Sequence, residues 1–187
     1  MKIKTNTLIE DLTERTKQNL LEVQEFQKLS IEQLNWKSNP DSWSILECIE
    51  HLNLYSQFYI PEIELKIQDS KSKHEATFKS GMLGNYFSKA MLLREKLNKM
   101  KTFKDKNPVG SKLEPSVLEN FIDFQKKTLD LLNQSNKVSL NKTKTNITIS
   151  SWLKLKLGDT FRVVIYHNHR HIVQAKNVLK MQGKHEE

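Results

Sequence analysis

The chain has 187 residues, of which 37% are hydrophobic and 28% charged, enough to bury a sizeable core in one ordinary domain. Only five glycines and four prolines disfavour turn-rich all-β folds and glycine-rich phosphate loops, and the single Cys48 excludes an internal disulfide and any multi-cysteine zinc site. A net charge of +8 raises nucleic acid as a partner, yet the seven cations from Lys89 to Lys106 (Lys89, Arg94, Lys96, Lys99, Lys101, Lys104, Lys106) form no recognised motif, so they read as a solvated basic face and no specific nucleic acid is expected.

The opening, MKIKTNTLIEDL, turns polar at once and contains no apolar run of the signal-peptide kind. No segment approaches membrane-spanning length, so the expectation is a cytoplasmic protein with no membrane contact. The first helix is expected from about Thr7 to Lys28, with Leu8, Leu12, Leu20, Val23 and Phe26 near helical spacing. After a turn at Pro40-Asp41, a second helix opens on the capping box Ser44–Glu47 and carries Ile45, Ile49, Leu52 and Tyr59 on one side. Pro61, well inside it, should kink or restart the helix. From Asp69 to Leu113 runs a polar, lysine-rich connection with one short helix around Leu83 to Leu97. A second capping box, Ser116 to Glu119, opens the third long helix, which reaches about Leu132. The segment VSLNKTKTNITISSW has strand-forming residues but no evident partner and reads as a loop. A fourth helix spans Leu157 to Gln182 and stops at Gly183.

Short links join helices one and two, and three and four, as antiparallel neighbours, whereas the link of about forty residues between two and three is long enough to start a parallel helix. The expected fold is all-α: a four-helix bundle with one long crossover between helices 2 and 3, in a single domain covering residues 1–187.

Three of the six histidines fall in VVIYHNHRHIVQAK. At about 100° per residue, His171 lies about 40° from His167 on the same face, while His169 lies about 200° away. Phe161, Val164, Ile165, Ile172, Ala175 and Leu179 form the buried stripe, which His167 and His171 flank. An H-x-x-x-H pair on one face can grip a metal ion, though by spacing alone two imidazoles packed at a helix edge are the commoner reading. Asn168 stands where a metalloprotease motif would have its glutamate. A third ligand must come from another element, and His51, one residue before Leu52, is the best placed. His74 and His185 read as solvated. Cys48 shares a face with His51 and is either a neighbour of the site or a packed core residue. Arg170 falls on the side away from the core stripe, to pair with an acid or contact substrate, and Gln174 is positioned to hydrogen-bond a ring nitrogen. Trp36 and Trp43 read as plugs at the bundle end.

Trp43-Ser44-Ile45-Leu46-Glu47 with Glu50-His51-Leu52, and His167-x-x-Arg170-His171-Ile172-x-Gln174-Ala175, together resemble the DinB superfamily, in particular its YfiT-like branch, described as metal-dependent hydrolases. Softer similarity in LSIEQLNWK and FIDFQKKTLDLL extends the resemblance from roughly Leu29 to Val178. It implies a four-helix bundle with two helices parallel across a long connection, and a divalent metal on His51, His167 and His171. Asn168 and His169 depart from the family pattern, so His169 is not expected to be a ligand.

Three imidazoles suit zinc or nickel first, then iron, manganese or copper. Such an ion can activate water for hydrolysis of an amide or ester, with Glu47 or Glu50 as proton carriers unless they serve as a helix cap and a surface charge. It can equally activate a low-molecular-weight thiol for transfer to an electrophile, a chemistry that resembles the family's thiol transferases. A non-catalytic, stress-related metal- or ligand-binding bundle is the alternative. An exposed bundle face leaves room for a homodimer.

Overall fold

In a computed structural model that describes residues 1–93 and 102–184, four long helices carry the fold: α1 (Thr5–Phe26), α3 (Ile45–Gln68), α5 (Ser116–Gln134) and α6 (Leu157–Gly183). Two short helices, α2 (Ile31–Asn35) and α4 (Met82–Met91), lie in the connections. Strands β1 (Lys2–Lys4) and β2 (Thr77–Lys79) pair antiparallel, as do β3 (Lys144–Ile147) and β4 (Ser150–Lys156).

The start of α3 forms as its sequence requires. Ser44 Oγ accepts from the Glu47 amide at 3.1 Å, and Glu47 Oε2 accepts from the Ser44 amide at 2.9 Å. Ser30 and Gln33 cap α2 in the same way. Helix α3 does not restart at Pro61, which sits exposed where water can satisfy the carbonyl left without a partner. The second expected box does not form. Ser116 is already helical, and the first amides of α5 are satisfied by backbone, Val117 to the Glu114 carbonyl and Leu118 to that of Pro115.

Two apolar clusters fill the bundle, and their membership gives the helix directions. One joins Leu8 and Leu12 of α1, Tyr59 to Ile67 of α3, Leu131 and Leu132 of α5, and Leu157 to Tyr166 of α6. The other joins Val23 and Phe26 of α1, Ile45 to Leu52 of α3, Val117 to Ile122 of α5, and Ile172 to Val178 of α6. Helices α3 and α5 therefore run parallel, with the long crossover between them, and α1 and α6 run the opposite way. The consecutive helices are antiparallel but are not neighbours: α1 and α3 each pack on both α5 and α6, so each short link spans a diagonal.

Between the clusters lies a polar layer. Thr16, Asn19, Asn53, Ser56, Gln125, Thr128 and Asn168 are all buried there. Ser56, Thr16 and Thr128 return their hydroxyls to carbonyls four residues earlier, and Asn53 donates to the Val117 carbonyl at 3.0 Å. The midpoint of the bundle is thus the place where polar side chains are already housed.

The segment expected to be a loop is the β3–β4 hairpin. Its partner lay in the residues just after it: Thr145, Ile147 and Leu155 turn inward while Lys144 and Lys154 turn outward, the period-2 pattern of a half-buried strand. The short crossover helix begins at Met82, and its expected end, with Arg94, Lys96, Lys99 and Lys101, lies outside the described residues, as does His185. Asp159 fastens α4 to α6: its carboxylate accepts from Ser80 Oγ and from the Gly81 amide at 2.8 Å, and pairs with Arg162 at 3.1 Å.

Candidate metal centre

His51 sits in the second turn of α3 and His167 and His171 on one face of α6, and the packing of these two helices brings the three rings together. One nitrogen from each lies within 4.8 Å of the others. His51 Nε2 and His167 Nε2 are 3.3 Å apart, which is about the edge of a tetrahedron built on metal–nitrogen bonds of 2.0–2.1 Å. His169 points elsewhere, half-buried near Arg15, Glu22 and Lys176. His74 is exposed.

The protonation of the rings follows from their surroundings. His51 Nδ1 donates to the Lys106 carbonyl at 2.6 Å, since a carbonyl can only accept, and its Nε2 is left with a free lone pair. His171 Nδ1 donates to Gln174 Oε1 at 2.9 Å, with the same consequence. Burial pushes His51 down to about 4, against the pull of the Lys106 hydrogen bond. Burial, together with the charge of His51, takes His171 to about 3, and His167 also falls well below the ordinary range, first through burial. At neutral pH the cluster is therefore three neutral imidazoles with converging nitrogens. Two of them have the lone pair a cation needs, and the donor set fits a divalent ion.

Aromatic rings enclose the cluster. Trp43 stacks on His171 with ring centroids 5.6 Å apart and tilts over His51 at 4.7 Å. Trp36 and Trp43 both pack against the end cluster as expected of plugs, but Trp43 also forms a wall of the histidine site. Tyr55 meets His51 and His167 edge-on at 5.0 and 4.9 Å. The site opens into a pocket of about 900 Å³ that also reaches Met91, Phe103, Ile149 and Met181.

The other candidates divide. Gln174 does what its spacing suggests. Arg170, expected on the side away from the core, is buried in the pocket wall, because α6 packs on α1, α3 and α4 and little of its circumference meets water. Cys48 is buried in the apolar end cluster, where burial raises its thiol far above the ordinary range; it is a core residue. Glu47 accepts from the Ser44 amide, Lys37 Nζ at 2.6 Å and the Gly110 amide at 2.7 Å, which ties the crossover to α3. Glu50 accepts from Asn53 at 3.1 Å, and neither glutamate lines the pocket. Two participants escaped the sequence reading. Tyr55, four residues after His51, could have been found by helical spacing; the Lys106 carbonyl, in the crossover, carries no sequence signal.

The sequence model of the DinB superfamily matches residues 12–175, a stretch that includes all three histidines. No curated protein matches the chain. YfiT from Bacillus subtilis, described as a probable metal-dependent hydrolase with an unusual four-helix bundle topology, superposes with a TM-score of 0.54 at 14% identity, over 96% of this chain and 87% of that one. At that identity the likeness speaks for the fold, which agrees in being a four-helix bundle. By the extent of the family match, the chain belongs to the DinB superfamily.

Proposed function

We propose that this protein is a metal-dependent enzyme in which His51, His167 and His171 hold one divalent ion, zinc or nickel first among the candidates. The observation that supports this most is the meeting of three neutral imidazoles with one nitrogen of each within 4.8 Å of the others, two Nδ1 atoms being committed to acceptors so that their Nε2 lone pairs stay free. When bound, such an ion supplies Lewis acidity to a water or a thiol. The rest is done by the chain. The Lys106 carbonyl and Gln174 hold the rings in orientation, and Trp43, stacked on His171, and Tyr55, edge-on to His167, wall the cluster. Arg170, fixed in the pocket wall, suits an anionic group on a substrate.

Between hydrolysis and transfer from a low-molecular-weight thiol, transfer fits better. Hydrolysis calls for a proton carrier, and Glu47 and Glu50 are engaged elsewhere. Asp41, which is exposed, is the carboxylate lining the pocket among the described residues. A thiol already deprotonated needs no such base during attack.

Elemental analysis of protein purified without a histidine tag tests the site. The wild type and His169→Ala should carry one ion per chain, and His51→Ala, His167→Ala and His171→Ala should carry none. A wild type that takes up neither zinc nor nickel would sink the proposal. Loaded protein mixed with thiols and electrophiles then tests the reaction: thiol consumed in step with electrophile supports transfer, and metal retained without any product leaves the non-catalytic bundle.

A further inference from the structure

The two small sheets present an unusual outer surface. Their inner residues, Phe78, Ile147 and Leu155 with Ile3 packed against them, all belong to one apolar cluster, so their outer faces look away from the same core. Lysine dominates those faces: Lys2, Lys4 and Lys79 on one sheet, Lys144, Lys154 and Lys156 on the other. The sheets are stitched together, Lys156 Nζ donating to the Lys79 carbonyl at 2.7 Å and Asn141 Nδ2 to that of Thr77 at 2.9 Å.

Two of the cross-strand pairs set lysine directly opposite lysine, Lys2 with Lys79 and Lys144 with Lys156. Like charges so placed destabilise a sheet. Among the described residues none of the six lysines enters an ion pair; the pairs lie on the helices and their links. Glu75 lies within electrostatic reach of Lys156, but its carboxylate is held by Ser139 and Asn141. The basic face is thus an arrangement that local stability opposes, and an anion laid across it would relieve the repulsion.

At the hairpin turn the surface changes character. Trp152 is 91% exposed, Ile149 50% and Leu153 39%. Trp152 and Leu153 fall where the ladder slips, between the pairs Asn146–Lys154 and Ile147–Ser150, so strict alternation lapses and both side chains are exposed. A single exposed apolar side chain needs no explanation, but three beside a lysine field form an amphipathic tip. Tryptophan favours the boundary between lipid headgroups and acyl chains, and basic residues are drawn to anionic leaflets.

We infer that the outer face of the two sheets, with the Trp152 tip, is a docking surface for an anionic lipid bilayer. The protein binds at the surface and does not cross it: among the described residues no helix is long and apolar enough to span a membrane. The lysines draw the face to the headgroups, and Trp152, Ile149 and Leu153 enter the interface. The aliphatic pair favours lipid over nucleic acid, because isoleucine and leucine have no aromatic face on which a base can stack. Ile149 also lines the metal-site pocket, so docking would bring the pocket mouth beside the bilayer. The surface shares Ile149 with the pocket but does not rest on the proposed metal chemistry, and its test uses no activity.

The test is co-sedimentation of the full chain with vesicles of phosphatidylglycerol and phosphatidylcholine, against phosphatidylcholine alone. Binding is expected to the anionic vesicles and to fall as salt is raised. Each lysine near an anionic leaflet is worth about fivefold in affinity, so Lys144→Glu, which reverses a charge, should weaken binding about 25-fold. Its thermal midpoint should hold or rise, because the introduced carboxylate would face Lys156; Lys4→Glu, on the other sheet, repeats the loss at a site with no opposed lysine. Tryptophan emission should shift to the blue on anionic vesicles, and Trp152→Phe should abolish the shift. No binding to anionic vesicles, equal binding to neutral ones, or affinity unchanged in both lysine variants would overturn the inference. So would tight binding of a single-stranded RNA oligonucleotide by a protein that ignores the vesicles.

Discussion

Gln174 is the residue that makes His171 a one-sided donor. Its Oε1 occupies Nδ1, which leaves the lone pair on Nε2 free in a cluster shared with His51 and His167. Replacing it by leucine keeps similar volume and removes that acceptor. Gln174→Leu should lower metal affinity about 10- to 100-fold, measured by competition with a coloured chelator, while leaving the fold intact. Affinity equal to wild type would show that packing alone orients the ring. The clustered histidines of α6 were legible because a helix repeats its faces at known spacing, and the i, i+4 relation separated His167 and His171 from His169 without any structure. The same arithmetic applied to His51 reaches Tyr55, whose ring closes the site on two sides. Arithmetic of that kind does not reach Arg170, because a one-helix reading assumes one wet side and α6 has almost none.

Among the elements, α4 is held against α6 by a contact that leaves no room at Gly84. A Cβ on Gly84 would come within 2.3 Å of Asp159 Cγ, and Asp159 cannot move without releasing Ser80, Gly81 and Arg162. Gly84→Ala should therefore cost about 1–3 kcal/mol, read as a lowered urea midpoint, and should loosen α4 from α6. Gly81→Ala, whose nearest neighbour would be Asp159 Oδ2 at 3.4 Å, is the matched control and should be near neutral. Helix α3 was legible down to its cap because Ser44 and Glu47 answer each other within one turn. Helix α5 kept its place but not its cap, since backbone carbonyls reached its first amides before Ser116 could. The hairpin was hidden for a different reason. Its second strand runs straight into α6 at Leu157, and the segment read as a loop ended at Trp152, so the alternation of Lys154, Leu155 and Lys156 stood outside both the loop and the helix.

For the molecule as a whole, burying three imidazoles in neutral form ties stability to pH. In the unfolded chain a histidine takes up its proton near pH 6.5, whereas folded His51 and His171 resist until about 4 and 3. As pH falls below 6.5 the unfolded state binds protons that the native state refuses, so stability drops, and the decline ends only as pH passes the folded values. Each such imidazole removes about 1.4 kcal/mol per pH unit within that window. The urea midpoint of chelator-treated protein should therefore fall between pH 7 and pH 5, and the slope should flatten in the double variant His51→Gln/His171→Gln. A wild-type midpoint that stays level or rises over this range would contradict the burial of neutral rings. The interval lies above the ordinary range of carboxylates, so they do not confuse the reading.

What the sequence determined by itself was local or periodic: helix lengths and faces, the cap of α3, the need for a long crossover, and two motifs in order along the chain. Each depends on residues within a few positions of one another, where backbone geometry dictates who can meet. What only the tertiary structure decided was adjacency. The links α1–α3 and α5–α6 are short, yet each crosses a diagonal, because the helices choose partners by the faces they bury and not by the length of the connection. The same holds at the site. The histidine cluster joins α3 to α6, and the carbonyl that orients His51 comes from Lys106, 55 positions away. Contacts of that range follow from how apolar surfaces pack, and no short stretch of sequence contains them.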